Sequence, residues 1–130
     1  LYSSSMRGDD IPYYTVLDGK ETDLVEIPSK WELDDYVAQA YSVYPAEPAG
    51  LDRISCYRNV QDNDLREFRG YYDMGLCIAF LMHPQISGAP GRNLVLEEVL
   101  KEVTSHKDVW VVTGSEVAEY WRKAHPRKED

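Results

Sequence analysis

Three histidines, His83, His106 and His125, are the only imidazoles in the chain. His83 stands where a titratable ring could do most. It closes an unbroken apolar run, residues 76–82, and is followed at once by Pro84. Such a run, without alternation, predicts a strand buried on both faces, as in a parallel sheet. Pro84 has no N–H to give a ladder, so the strand is expected to stop at His83. In α/β folds the C-terminal ends of strands are where chemistry gathers. The competing assignment is a strand-terminal histidine that only bonds a backbone carbonyl. A second group is Trp31-Glu32-Leu33-Asp34-Asp35-Tyr36, read as a strand end or loop with two adjacent carboxylates. Asp34 and Asp35 also suit ordinary turn or helix-capping chemistry. Asp9 and Asp10 read first as solvated loop carboxylates. His106 and His125 fall at a helix C-terminus and in the tail; they suit the dipole there and carry no site signal.

Metal chemistry finds little in these residues. Cys56 and Cys77 make no ligand spacing, and the three histidines form no His-x-x-x-His pair. Cys77, inside the apolar run, reads as a small buried hydrophobe. Fourteen basic against 23 acidic residues leave a net charge of −9, which would repel nucleic acid phosphates and anionic membrane. No apolar stretch approaches the length that spans a bilayer, and no signal peptide is visible. Without a disulfide framework, a reducing, cytoplasmic setting is expected.

The elements that must position these residues follow from local pattern. One hundred and thirty residues, 43% of them hydrophobic, suit a single unit with a modest core. Residues 1–12 read as a polar loop leading out through Pro12. Residues 13–17, the turn Asp18-Gly19 and residues 24–27 predict a β-hairpin. Residues 37–52, with Pro45, Pro48 and Gly50, predict an irregular loop. A helix is expected over 60–73, with Leu65, Phe68 and Tyr72 on one face and Gly75 as its stop. Residues 87–91 read as a loop rich in breakers. The next helix, 92–106, repeats Leu96, Val99, Leu100 and Val103. Residues 109–112 predict a short strand, and Thr113 with Glu116 a capping box. The helix that follows is expected to bury Val117, Tyr120 and Trp121, with Trp110 in the core. From residue 60 onward helix and strand alternate, which argues for right-handed βα units with parallel strands.

The segments 4–13, 31–36, 81–92 and 109–116 together resemble the C-terminal part of the polysaccharide deacetylase (NodB-homology) family. The resemblance is strongest to its peptidoglycan deacetylase and allantoinase-like branch. Its most specific element is His83-Pro84 followed by Gly88-Ala89-Pro90-Gly91-Arg92. The resemblance implies an α/β fold: the C-terminal portion of a distorted (β/α) barrel, residues 1–130 forming one unit that lacks the N-terminal half. It also implies hydrolysis of a non-peptide amide C–N bond, such as a sugar N-acetyl group, with a divalent metal, zinc by analogy, activating water. His83 matches the family's late-strand general acid, and Asp34 the carboxylate that orients it, with Asp35 the second choice. Trp31, Asp35, Tyr36 and Asp10 are the implied substrate-binding residues. Tyr41 and Tyr44 are further candidates for stacking on sugar faces, although for Trp31 core packing is the stronger expectation.

The departure from the family is the ligand set. The metal-binding histidines, their companion aspartate and the catalytic base belong to motifs expected upstream of Leu1. The chain alone is therefore expected to hold no metal and not to catalyse. Its expected partners are the complementary N-terminal half, or a second copy, and a small sugar amide. The alternative function is a non-catalytic binding or assembly module that keeps the fold without the metal.

Overall fold

The protein is described by a computed structural model that covers residues 1–40 and 55–127. The expected loop at 37–52, including Tyr41 and Tyr44, lies largely outside them. The chain opens with a three-stranded sheet in the order β1-β3-β2. Strands β2 (Tyr13–Leu17) and β3 (Lys20–Glu26) are the expected hairpin. Its turn residues, Asp18 and Gly19, have φ of 49° and 79°. Two positive φ values in succession match the right-handed twist of the strands, and Asp-Gly tolerates them at little cost. Strand β1 (Tyr2–Ser3), which the sequence reading left in a loop, lies parallel to β3. Glu26 explains the pairing. Its fully buried carboxylate accepts hydrogen bonds from the backbone N–H groups of Ser5 (2.6 Å) and Met6 (2.8 Å), so the incoming loop is held against β3.

Helix α1 (Asp35–Gln39) follows a single 3-10 turn, Trp31–Leu33. This replaces the strand end or loop expected over 31–36. The cause is local: Asp34 Oδ1 accepts from the Tyr36 N–H at 2.9 Å and caps α1. Helix α2 (Tyr57–Met74) ends at Gly75 in the left-handed conformation, φ 66°, as expected. After it come the short α3 (Pro84–Ser87), α4 (Pro90–Ser105) and α5 (Gly114–Ala124). Among the described residues no helix is long and apolar enough to cross a membrane.

The core lies where α2 packs on α4. Phe68, Val99 and Val103 are its buried centre, flanked by Leu65, Tyr72, Ile78, Phe80 and Val109. Helix α4 buries Val95, Val99 and Val103, and leaves Leu100 46% exposed. Its buried stripe follows an i, i+4 row and is narrower than the expected face. The capping box at Thr113 and Glu116 is present. Helix α5 seats Ala118 instead of Tyr120, because a methyl group lets its backbone approach the sheet closely. Tyr120 and Trp110 are both 57% exposed and pack edge to face on the surface, 5.5 Å apart.

Residues 76–82 run extended but do not form the expected ladder. The Leu81 N–H donates to the Leu33 carbonyl (3.0 Å), and the Asp35 N–H to the Leu81 carbonyl (3.1 Å). Those two bonds make one parallel bridge, between Asp34 and Leu81. A ladder needs a neighbour along its whole length, and beside 76–80 the described residues offer only the Asp10 carbonyl, which accepts the Cys77 N–H at 3.2 Å. Cys77 is accordingly half-buried. Residues 109–112 likewise form no strand, and the one parallel ladder among the described residues is β1 with β3.

Candidate functional site

The bridge between Asp34 and Leu81 sets the register of two segments and brings Asp35 under His83. Asp35 Oδ1 lies 2.6 Å from His83 Nδ1, and Asp35 Oδ2 accepts the His83 backbone N–H at 2.9 Å. The Ser87 hydroxyl also donates to Asp35 Oδ2. The carboxylate is buried, with 3% of its side chain exposed, whereas the imidazole is about one-third exposed. With Nδ1 engaged by a carboxylate, the ring is held in one orientation and Nε2 is its remaining nitrogen, without a hydrogen-bond partner among the described residues. Tyr36, more than half exposed, sets its ring 5.4 Å from the imidazole.

Burial pushes the Asp35 carboxyl up. Hydrogen bonds from the Ser87 hydroxyl and the His83 backbone and ring, with the charge of the imidazolium, outweigh that effect and hold it below the ordinary carboxylate range. Asp34 is the neighbour that the sequence favoured as the histidine's partner. Its Oδ1 is 3.8 Å from His83 Nδ1 and is used to cap α1. The carboxylate that holds His83 is Asp35.

The other candidates lie outside this cluster of contacts. Asp10 Oδ1 accepts from Tyr71 OH and pairs with Lys30 Nζ, each at 2.8 Å. Those partners, Lys30 first, draw the Asp10 carboxyl down, while burial and then Asp10 push the Tyr71 phenol up. Asp10 thus pins its loop to α2. Trp31, expected in the core, is 59% exposed, since the 3-10 turn faces it outward. The Arg7 guanidinium covers its ring at 3.7 Å.

Two groups escaped the sequence reading. Ser87, in a stretch whose composition predicts a loop, is buried and completes the contacts of Asp35. Its spacing four residues after His83 was the available signal, since a single helical turn brings such positions to one face. Asp64 on α2 lines a cleft of about 240 Å³ whose wall also includes Asp34, Asp35, Gln39, Ser87 and Arg92. Burial, opposed by a hydrogen bond from Asn63 and assisted by the charges of Asp35 and Glu67, pushes the Asp64 carboxyl up to about 6.

Asp34, Asp35 and His83 offer ligand atoms within 4.8 Å of one another, and among the described residues theirs is the one such trio. They do not fit a metal. Nδ1 of His83 and both oxygens of Asp35 already satisfy one another, Ser87 and a backbone N–H, and Asp34 Oδ1 is taken by the cap. An ion bound through Nδ1 or the Asp35 oxygens would have to break the contacts that orient the ring.

No family model matches the chain. It is 30% identical over 113 residues to the peptidoglycan deacetylase of Helicobacter pylori, an alignment covering 85% of this chain and 38% of that protein. A crystal structure from Mycobacterium smegmatis, of a protein named as a polysaccharide deacetylase, superposes with a TM-score of 0.79 and 32% identity. That match covers 99% of this chain and 44% of the other. PuuE allantoinase shares the fold at a TM-score of 0.78, with 20% identity, over 98% of this chain and 40% of its own. These likenesses support a C-terminal part of the polysaccharide deacetylase family. It spans about two-fifths of the length of the curated relatives it matches.

Proposed function

We propose that this chain supplies the general-acid side of a hydrolase that cleaves a non-peptide amide C–N bond in a carbohydrate or peptidoglycan substrate. The observation that carries the reading is the His83–Asp35 pair, a part-exposed imidazole fixed through Nδ1, which leaves Nε2 unengaged among the described residues. In the reaction, water oxygen bonds to the acyl carbon and the C–N bond breaks. His83 Nε2 delivers its proton to the departing amine nitrogen, and Asp35 holds the ring and stabilises its charged form. Tyr36 and Trp31, both exposed, are the surfaces on which a sugar face would rest. The divalent metal of a NodB-type reaction has no fitting ligand set among the described residues; in this reading its ligands and the catalytic base belong to the rest of the enzyme. The same reading makes the fold a partial (β/α) barrel, and the chain inactive by itself. The extended segments 76–82 and 109–112 are then where the complementary N-terminal half, or a second copy, adds its strands.

The test is kinetic. In the complete enzyme, His83→Ala should lower kcat by roughly 10²–10⁴-fold and leave KM little changed, as for a group that acts on the leaving atom. A variant that keeps its kcat and only binds substrate more weakly would move His83 out of the chemistry. Such a result would favour a binding module.

A further inference from the structure

The turn that carries His83 has a second polar side chain aimed at the same carboxylate. Pro84 stands at the first position of α3 and fixes its φ for a helical start. The Ser87 N–H then donates to the His83 carbonyl at 2.9 Å, closing a single helical turn. One turn places positions 83 and 87 on one face, so the imidazole and the Ser87 hydroxyl converge on Asp35. Gly88 ends the turn where a Cβ would lie 2.2 Å from the Pro84 carbonyl oxygen, so a side chain there would push the turn open. Ser87 is only 6% exposed, and its one other contact is Met82 Sδ at 3.4 Å, a much weaker acceptor than a carboxylate.

We propose that Ser87 is a positioning residue for the His83–Asp35 pair, its hydroxyl fixing Asp35 Oδ2 so that Oδ1 stays on Nδ1 of the imidazole. The inference rests on the proposed role of His83 and extends it to a residue that does not touch substrate. Without that hydroxyl Oδ2 keeps only the His83 backbone N–H, and the carboxylate is held less firmly in the plane that presents Oδ1 to the ring. It also becomes a more basic acceptor, which holds the imidazole's proton more tightly and delays its transfer. The other charged or titratable groups around Asp35 are His83 itself, Asp34 at the start of α1, Asp64 on α2 and Arg92 on α4. None of their side chains donates to Oδ2, whose remaining donor is the His83 backbone N–H.

The experiment compares Ser87→Ala, Ser87→Thr and His83→Ala in the complete enzyme. Three readouts are needed: kcat and KM, the pH–rate profile, and the ¹⁵N signature of the His83 ring. Ser87→Ala should lower kcat by about 5- to 10-fold, the rate equivalent of one hydrogen bond, with KM within about 2-fold. Its basic limb should move to higher pH, and the protected Nδ1–H signal should weaken. Ser87→Thr, which keeps the hydroxyl, should restore all three. A Ser87→Ala enzyme with wild-type kcat, pH profile and ring signature, changed at most in thermal stability, overturns the proposal. Should Ser87→Ala not accumulate folded, Ser87→Cys supplies the weak-donor comparison, and wild-type behaviour from it overturns the proposal equally. If His83→Ala keeps its kcat, the reading of His83 fails, and the ring signature of Ser87→Ala still decides whether the serine holds the pair.

Discussion

Replacing Asp35 by asparagine separates the two adjacent carboxylates by what each one holds. Asp35 accepts three bonds: from the His83 ring, the His83 backbone N–H and the Ser87 hydroxyl. An amide keeps one acceptor oxygen and presents an NH₂ where the other stood, so two bonds to a charged group are lost or reversed. Net contributions of such bonds run at about 1.5–3 kcal/mol each, and the part-exposed imidazole regains some of its share from water. Asp35→Asn should therefore cost about 2–4 kcal/mol, a large part of a domain's stability of roughly 5–15 kcal/mol. Asp34→Asn should cost less than about 0.5 kcal/mol, because asparagine caps a helix as well as aspartate does. The pH dependence follows from the depressed Asp35 carboxyl, whose ordinary value is 3.8. Its stabilisation is present above that value and is lost as pH falls through the lower folded-state value. The gap between wild type and Asp35→Asn should thus close as pH falls below about 4. Urea unfolding at a series of pH values measures both. Equal losses from the two asparagine variants, or a larger loss from Asp34→Asn, would refute the assignment of Asp35 as the histidine's partner.

Two further expectations concern α2. Phe68 is 2% exposed between Val99 and Val103, so Phe68→Ala should cost about 3–5 kcal/mol in chemical denaturation. Asp64 is buried with its carboxyl pushed up to about 6, so the folded state binds a proton more tightly than the unfolded one. The stability that this gives is complete below about pH 4 and lost as pH rises through 6. Asp64→Asn should remove that decline and gain on wild type by up to about 2 kcal/mol between pH 4 and pH 8. A gap that does not change with pH would refute it.

What the sequence showed depended on how local each signal was. Asp18-Gly19, Gly75 and the Thr113–Glu116 box each act through their own backbone, and each is found where it was read. The choice between Asp34 and Asp35 was not of that kind. Successive residues at a helix start point about 100° apart, and which one meets His83 is decided by the register of residue 81 against residues 33 and 35. That pairing joins positions 48 apart, and no pattern within either segment encodes it. The off-register face of α4 has the same origin. Leu96, Val99, Leu100 and Val103 make a plausible stripe alone, and it is α2 that selects Val95 over Leu100. The apolar run at 76–82 records that those side chains belong in a dry environment. Whether a ladder forms there depends on the backbone beside it, which the run does not specify.

The geometry around His83 also bears on what kind of site this is. A metal centre needs donors whose lone pairs are uncommitted and converge on one point. Here four of the trio's atoms are engaged: Nδ1 with Asp35 Oδ1, Oδ2 with a backbone N–H and Ser87, and Asp34 Oδ1 with the cap of α1. Those bonds fix the ring without using Nε2, the one atom that could carry a proton outward. A histidine that only terminated a strand would need none of the three contacts on Asp35, since one carbonyl would satisfy it. Burying a carboxylate beneath a part-exposed imidazole carries a desolvation cost, and its hydrogen bonds offset that cost only while the ring stays where it is. The cluster thus holds the imidazole in one orientation, as the proposed proton delivery requires.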